Sequence, residues 1–238
     1  MKARLTLERD GKVAYVHLAA PKANVLDREM VTALDAIFAS LEAKRDLRAI
    51  VILPDGPHFS FGASIEEHLP GQIEGALARL GNLLRRVANA PAPTIAQVRG
   101  QCLGGGFELA LACDLIIADD SARFAVPEIR LGVFPPAASA LLPVRIGVAA
   151  ASELILTGVT WTADEARARG LAHCIDPEVL LACSATGLRH AAKAVRRNIV
   201  KALDEDLPRL DRLYLDELMA QPDACDGIRA FLDKRVHA

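Results

Sequence analysis

The chain has 238 residues, of which 52% are hydrophobic and 24% are charged. This composition supplies one substantial core and excludes a disordered chain. The formal net charge of −2 and the aromatic fraction of 4% indicate neither a phosphate-neutralising surface nor a platform for stacked bases, so nucleic acid is not expected as a partner. We expect one large domain, or one domain with an appendage.

Charged residues interrupt the apolar stretches. Glu108, Asp114 or Arg145 cuts each of the longest ones, so no uninterrupted run of about 18 apolar residues predicts a bilayer span. The N-terminus lacks the apolar block of a signal peptide. The five cysteines have the spacing of neither a disulfide framework nor a zinc site. These features predict a soluble, cytoplasmic protein with reduced thiols.

The first half of the chain alternates strands and helices. Alternating residues on both sides of Asp10-Gly11 predict a β-hairpin. Asp27 precedes apolar residues at three-and-four spacing as far as Leu41, which predicts a capped amphipathic helix. The run 49–53 is apolar throughout and ends at Pro54, which is typical of a strand covered on both faces.

The remaining pattern completes an α/β chain with a helical C-terminal part. From Ala137 onward the pattern is almost wholly helical, and a change of composition near Leu180 is where we divide the chain into a core of residues 1–180 and a helical region of residues 181–238. The elements between the strand over 49–53 and Ala137 are, in order, a helix over 75–89, a strand over 94–98, a buried helix over 107–113 and strands over 114–118 and 122–125.

Three glycines, Gly104-Gly105-Gly106, stand between a predicted strand and a buried helix. Glycines at such a junction let the backbone approach a ligand, and the N–H groups of the helix start point at any negative oxygen bound there. The alternative is a tight turn that serves close packing alone. The spacing matches neither a dinucleotide-binding loop nor a P-loop. We interpret the turn as a candidate oxyanion site.

Two glutamates are candidate acids for proton transfer. Glu108 lies within an apolar segment, where its carboxyl needs a partner or a function. Glu128 follows an apolar strand and Pro127. Its simpler alternatives are a surface pair with Arg130 and a first-turn acid of a short helix. A carboxylate beside oxyanion donors suits proton transfer next to a carbonyl.

The segment 58–67 again places small residues after a buried strand. We expect Ser64 to cap a short helix, with Glu67 completing a capping box. A serine hydrolase is the rival class, but no Gly-x-Ser-x-Gly elbow is present, and the sequence ties neither His58 nor His68 to Ser64. We do not expect a catalytic serine.

Five ordered motifs resemble the crotonase (enoyl-CoA hydratase/isomerase) superfamily, and the resemblance covers nearly the whole chain. It implies a spiral of strand, strand, helix units, a C-terminal helical trimerisation region, and a homotrimer or a hexamer of two trimers. The motifs are Lys22-Ala23-Asn24-Val25-Leu26, Phe59 to Ile65, Gly104 to Asp114, Pro127-Glu128 followed by Leu131-Gly132, and Asp226 to Arg235.

The resemblance also implies the site. The backbone N–H groups of Ala63 and Gly105 would form an oxyanion hole for the thioester oxygen of an acyl-CoA, and Glu108 and Glu128 would hold one water between them. It implies no metal and no redox cofactor, because coenzyme A is part of the substrate, and no membrane partner. The residues implied to bind the substrate or its CoA are Lys22, Ala23, Asn24, Gly62, Ser64, Ile65, Gly104 and Lys234.

Both acids together favour a hydratase, because isomerases of the family commonly keep only the later one. The alternatives are a linear short-chain enoyl-CoA hydratase, an enoyl-CoA isomerase and, from another class, a non-catalytic acyl-CoA-binding subunit. Ser64 stands where the family usually has Asp, and residues 135–140 replace its usual Pro-Gly-x-Gly-Gly-Thr. The segments 58–70 and 132–139 are similar to the cyclic dienoyl-CoA hydratases, which implies cyclohexa-1,5-diene-1-carbonyl-CoA as substrate and a place in anaerobic aromatic degradation.

The C-terminal part contains an apolar stripe at three-and-four spacing. The resemblance assigns this stripe to a trimer interface, and a helix face packed within the same chain is the alternative. The stripe consists of Leu203, Leu207, Leu210, Leu213, Tyr214 and Leu218.

Overall fold

The computed structural model describes residues 2–20 and 22–236, and only the backbone of residues 234–236. Its strands are β1 (Ala3–Glu8), β2 (Val13–Leu18), β3 (Ala49–Pro54), β4 (Thr94–Val98), β5 (Gln101–Leu103), β6 (Leu115–Ala118), β7 (Arg123–Ala125) and β8 (Trp161–Thr162). Its α-helices are α1 (Arg28–Leu41), α2 (Ile73–Ala88), α3 (Gly104–Ala112), α4 (Pro136–Thr157), α5 (Ala163–Ala168), α6 (Ala185–Val195), α7 (Arg197–Lys201), α8 (Leu207–Arg212) and α9 (Pro222–Val236).

The larger sheet has five strands in the order β1-β2-β3-β4-β6. The pair β1 and β2 is antiparallel, and the other neighbours are parallel. Because side chains alternate across a strand, Ile50 and Ile52 of β3 enter the main core, while Val51 enters a second cluster that Leu180 and Leu181 cover. The strand is therefore buried on both faces, as its uninterrupted apolar run predicts.

The segments that follow the sheet strands form a second ladder across successive turns of the chain. Leu26 pairs with Ala63, Ser60 pairs with Cys102, β5 pairs with β7, and β7 pairs with β8. Each turn thus contributes a strand to the large sheet and a shorter extended segment to the second ladder. This arrangement confirms the predicted α/β class of strand and helix units.

The hairpin and the first helix cap are confirmed. Asp10 and Gly11 adopt positive φ values between β1 and β2, and Asp27 accepts a hydrogen bond from the N–H of Met30 at the start of α1. The predicted buried helix begins earlier than expected, since the three glycines form the first turn of α3. Strands β5 and β8, which have three and two residues, were not predicted from the sequence.

The apolar stripe of the C-terminal part packs mostly within the chain. Leu203 and Leu207 belong to the main core, and Tyr214 is buried in a separate cluster with Val133 and Ile228. For these residues the assignment to a trimer interface is wrong, because they have no surface left to offer a second subunit. Leu213, by contrast, is 41% exposed.

One helix among the described residues, α4, has the length and apolar composition of a membrane span. Its helical geometry breaks at Gly147, where φ is 77° and ψ is 160°. Arg145, just before the break, donates side-chain hydrogen bonds to the carbonyl oxygens of Leu111 and Asp114. These contacts join α4 to α3 within the fold.

Candidate active site

The second ladder brings together residues that are far apart in the sequence. Ala63 lies in the bridge with Leu26, Gly104 directly follows β5, and Glu128 lies just after β7. Because neighbouring segments of a ladder are roughly 5 Å apart, their ends meet on one side of the fold. The three predicted site segments therefore converge.

Neighbouring atoms lie so close to the three glycines at the start of α3 that there is little room for a side chain at these positions. A Cβ added to Gly104, whose φ is +46°, would collide with the Oε1 atom of Glu128. A Cβ on Gly105 would lie 3.1 Å from the backbone nitrogen of Ala63, and one on Gly106 would collide with the side chain of Ser60. The close-packing alternative is thus correct for Gly106, whereas Gly104 and Gly105 face the candidate site.

Glu108 lies on α3 and is 5% exposed. Its Oε1 accepts a hydrogen bond of 2.8 Å from the N–H of Ala138, in the first turn of α4. The pKa of Glu108 is raised to about 7 in total. Burial is the largest cause, the hydrogen bonds from Ala138 and Ala137 oppose it, and the negative charge of Asp211 adds to it. A helix start stabilises a carboxylate, so Glu108 has support for its ionised form.

Glu128 lies in the 3₁₀ segment Pro127–Leu131. Burial, followed by the negative charge of Glu108, raises the pKa of Glu128 to about 8. Its Oε2 is buried without a hydrogen-bond partner among the described residues. The surface pair with Arg130 is therefore wrong, whereas Glu128 is a first-turn acid of this short helix after Pro127, as the other alternative predicts. Its carboxyl has one buried oxygen and lies near the second carboxyl, that of Glu108.

Both glutamates open into a single cleft. The cleft, together with the open solvent at its mouth, contains about 560 Å³ of space between protein atoms. Ala63, Ser64 and Gly105 also line it. The rest of the lining combines apolar side chains with a charged mouth: Leu26, Val31, Ile73, Ala76, Leu77, Leu80, Phe134, Pro135, Pro136 and Tyr214, and Asp27, Arg28, Glu67, His68 and Arg79.

Several residues implied to bind the substrate or its CoA lie elsewhere. Gly62 and Gly104 shape the site through their backbone, whereas Lys22, Ala23 and Ile65 are not part of the lining. Lys234 lies in α9, but its side chain is outside the described residues.

Asn24 is corrected from a ligand contact to a loop-shaping residue. Its side chain is completely buried. The amide oxygen accepts a hydrogen bond from the N–H of Ala20, and the amide nitrogen donates one to the carbonyl of His58. Both ends of the side chain are therefore committed to the backbone.

The predicted capping box at Ser64 is wrong. A 3₁₀ turn spans Glu66–His68, and the residue before it provides no side-chain cap. The Ser64 hydroxyl donates to the carboxylate of Glu66, while Glu67 accepts a hydrogen bond from the N–H of Arg28 and pairs with Arg79. Glu67 therefore connects the Ser64 loop to α1 and α2 at the mouth of the cleft.

Tyr214 and Asp211 were not predicted as site residues. Tyr214 lines the cleft, and the pKa of the half-buried Asp211 is raised to about 6 by burial. Both follow α7 in the C-terminal part, where the apolar periodicity predicts packing but contains no signal for a cleft. Within the part of the chain that the structure describes, no group of three or more His, Cys, Asp or Glu side chains could hold a metal ion.

Comparison with known proteins places this site in a family. The sequence profile described as enoyl-CoA hydratase/isomerase matches residues 8–236. The chain is 43% identical to a cyclohexa-1,5-dienecarbonyl-CoA hydratase of Thauera aromatica, with 98% of this chain and 94% of the relative covered. It is 37% identical to a probable enoyl-CoA hydratase of Rhizobium meliloti, covering 97% and 95% of the two chains.

Solved structures agree with the sequence relatives. The fold matches an enoyl-CoA hydratase/isomerase of Xanthobacter autotrophicus Py2 with a TM-score of 0.84 and 27% identity, covering 99% of this chain and 97% of that one. The chain therefore belongs to the enoyl-CoA hydratase/isomerase (crotonase) family and is a lyase of the enoyl-CoA hydratase type.

Proposed function

We propose that the protein adds water to the β carbon of an α,β-unsaturated acyl-CoA through a thioester enolate. The observation that carries the proposal is the pair of buried carboxyls, Glu108 and Glu128, which open into one cleft beside Ala63 and Gly105. The N–H groups of Ala63 and Gly105 are the proposed oxyanion hole. Removing one such donor typically costs about 2.7–4 kcal/mol of barrier.

The surroundings of the two carboxyls suggest a division of roles. Glu108 accepts hydrogen bonds at the start of α4, which favour its carboxylate, so we assign it as the base. Glu128 has a buried oxygen without a partner, which favours its protonated form, so we assign it as the acid. The assignment follows the rule that two neighbouring carboxyls take opposite protonation states.

In the proposed reaction, one water adds across the double bond next to the thioester. Glu108 removes a proton from the water while the water oxygen bonds to the β carbon. The π electrons of the double bond move to the thioester oxygen, where the two N–H groups would stabilise the enolate. Glu128 then gives its proton to carbon as the enolate returns to a thioester. The net change is one added water, and a proton passing from Glu108 to Glu128 restores the starting state.

For the acyl group we propose cyclohexa-1,5-diene-1-carbonyl. The support is the 43% identity to the relative of that name, together with a mainly apolar cleft that Phe134, Pro135 and Pro136 line on one side. Pro135 and Pro136 belong to the segment in which the sequence departs from the usual family pattern. A reaction in anaerobic aromatic degradation follows from that substrate.

A substrate series tests the proposal. The purified protein is assayed with crotonyl-CoA, cyclohexenoyl-CoA and cyclohexa-1,5-dienecarbonyl-CoA by the loss of the conjugated thioester absorbance. We expect the highest kcat/KM for the cyclic diene. A preference for crotonyl-CoA would replace the substrate by a linear enoyl-CoA. CoA ester binding without turnover would instead support a non-catalytic subunit.

We also propose that Lys22 and Lys234 lie near the CoA, and that the protein is located in the cytoplasm.

We further propose that the chain forms a homotrimer or a hexamer of two trimers. The exposed apolar side chains of Val148 and Leu156 on α4 offer surface for a second subunit. Light scattering with size-exclusion chromatography measures the mass in solution. A mass equal to one chain would contradict the assembly.

A further inference from the structure

Tyr214 has a buried hydroxyl that the proposed reaction does not use. The residue is 1% exposed and lines the cleft that contains Glu108 and Glu128. Its Oη has no hydrogen-bond partner among the described residues. A buried hydroxyl without a partner destabilises a fold. Packing therefore accounts for the ring of this residue but leaves its oxygen unexplained.

The ring has a clear structural role. It packs on Phe134 with the ring centroids 5.5 Å apart in an edge-to-face arrangement, and it belongs to the cluster that contains Ile73 and Val133. A phenylalanine would make the same contacts. The backbone around Tyr214 is held by a π-helical turn in which the N–H of Met219 donates to the carbonyl of Tyr214, so the ring is held firmly at the wall of the cleft.

The unpartnered hydroxyl is complementary to a second orphaned atom in the same cleft. The Oε2 of Glu128 is also buried without a partner among the described residues. Burial and the negative charges of Glu128 and Glu108 raise the pKa of Tyr214 above its usual range, so the phenol keeps its proton and remains a donor. Two residues that line the cleft therefore carry one donor and one acceptor without partners among the described residues, and a water or a hydroxyl group has the complementary groups for both.

We propose that Tyr214 is a catalytic residue whose hydroxyl donates a hydrogen bond to the oxygen of the attacking water, or of the product hydroxyl in the reverse direction. This inference rests on the proposed hydration. A water molecule has two hydrogens and two lone pairs. Glu108 and Glu128 accept the two hydrogens, Tyr214 occupies one lone pair, and the other lone pair is left to face the β carbon. The tyrosine thus fixes the rotation of the nucleophile.

The conservative variant Tyr214→Phe tests the role of the hydroxyl, because it keeps the ring on Phe134. Tyr15→Phe is the matched control. Tyr15 is the other tyrosine of the chain, and it packs in the cluster on the far face of the sheet. We expect kcat of Tyr214→Phe to fall about 10-fold to 100-fold, the range for a misplaced reactant. We expect KM to stay the same or fall, and the thermal midpoint to stay the same or rise. Tyr15→Phe should match the wild type in kcat.

The remaining outcomes separate this inference from the function on which it rests. If the wild type hydrates an enoyl-CoA and Tyr214→Phe retains kcat within about twofold, the catalytic role is wrong while the function stands. A lower thermal midpoint in Tyr214→Phe would show that the hydroxyl has a structural partner, and it would also overturn the catalytic role. A change in KM alone for the cyclic diene substrate would overturn that role as well, because it indicates that the hydroxyl binds the substrate. If the wild type hydrates no enoyl-CoA, both proposals fail.

Discussion

Glu108 and Glu128 are chemically identical side chains, and their surroundings make them different. The oxygen of Glu108 meets two backbone N–H groups at the start of α4, while Glu128 has one oxygen packed against Gly104 and the other without a partner. Coupled carboxyls of this kind titrate as a pair with apparent values that belong to both. The activity should therefore be highest where the pair holds one proton and fall on either side.

Replacing the acids tests whether they act on one water. We expect Glu108→Gln and Glu128→Gln each to lower kcat on the order of 10²-fold to 10⁴-fold, the usual contribution of a positioned acid or base. The double variant should lose far less than the product of the two effects. Steady-state hydration assays measure this.

The exposed Glu74 of α2 provides the control, since Glu74→Gln removes a carboxyl outside the cleft. Independent, multiplicative losses in the double variant would contradict a shared water. Wild-type activity in Glu108→Gln would favour an isomerase that uses the later acid alone.

Gly104 should tolerate no side chain. An alanine there would need a φ of +46° and would place its Cβ against the Oε1 of Glu128, so the carboxyl must move. We expect Gly104→Ala to lower kcat by about 10²-fold, as a displaced catalytic group does, and to lower the thermal midpoint. Gly187→Ala is the control for kcat, because its Cβ would meet only the hydroxyl of Ser184, which caps the N–H of Gly187 at the start of α6, and neither residue lines the cleft. Equal activity of the two variants would contradict the role of Gly104.

At the scale of elements, the last helix supports the segment that bears Glu128. A Cβ on Gly227 of α9 would collide with the carbonyl oxygen of Leu131, and the backbone of Gly132 lies close to Asp223. Helix α9 therefore packs directly on Pro127–Leu131. The position of one catalytic candidate depends on a helix from the opposite end of the chain.

This packing predicts that Gly227→Ala lowers the activity although Gly227 does not line the cleft. We expect kcat to fall about 10-fold to 100-fold because the Glu128 segment shifts, with faster amide hydrogen exchange in residues 127–132 and in α9. The same Gly187→Ala variant controls for helix propensity. Faster exchange in α9 with unchanged kcat would show that the helix does not position Glu128.

Local sequence signals predicted most elements and singled out Glu108 and Glu128, which the fold brings to one cleft. Asp27, the Asp10-Gly11 turn and the apolar run of β3 act through neighbouring residues, so they can be identified from short segments. The strands β5 and β8 are too short for a periodic signal, and long-range pairing defines them. Tyr214 was missed for the same reason, because the fold alone brings the C-terminal part to the cleft. Asn24 was misassigned because a motif does not show which way a side chain points.

At the scale of the whole molecule, one continuous core connects the strand-rich half to the C-terminal helices, since Leu203 and Leu207 pack with Ile50 and Leu109. The cleft lies between this core and the smaller cluster that contains Tyr214 and Ile228. The catalytic candidates are therefore buried by the same packing that stabilises the fold. Their protonation must consequently be linked to global stability.

The linkage predicts that the protein loses stability as the pH rises from acid to alkaline values. Glu108 and Glu128 have folded-state pKa values of about 7 and about 8 against an ordinary value of 4.5, so between these limits the folded state binds more protons than the unfolded state. The stabilisation is complete below about pH 4.5 and disappears as the pH rises through 7 and 8. One carboxyl shifted from 4.5 to about 7 corresponds to on the order of 3 kcal/mol.

Urea denaturation at about pH 5.5 and about pH 8.5, on either side of these pKa values, measures the effect. The wild type should lose more unfolding free energy between the two conditions than the double variant Glu108→Gln and Glu128→Gln, whose amides do not titrate. Glu74→Gln should behave like the wild type, because its carboxyl is exposed. The raised pKa of Asp211 acts in the same direction but remains in all three proteins. An identical pH dependence in the wild type and the double variant would show that the two carboxyls are solvated in the folded protein.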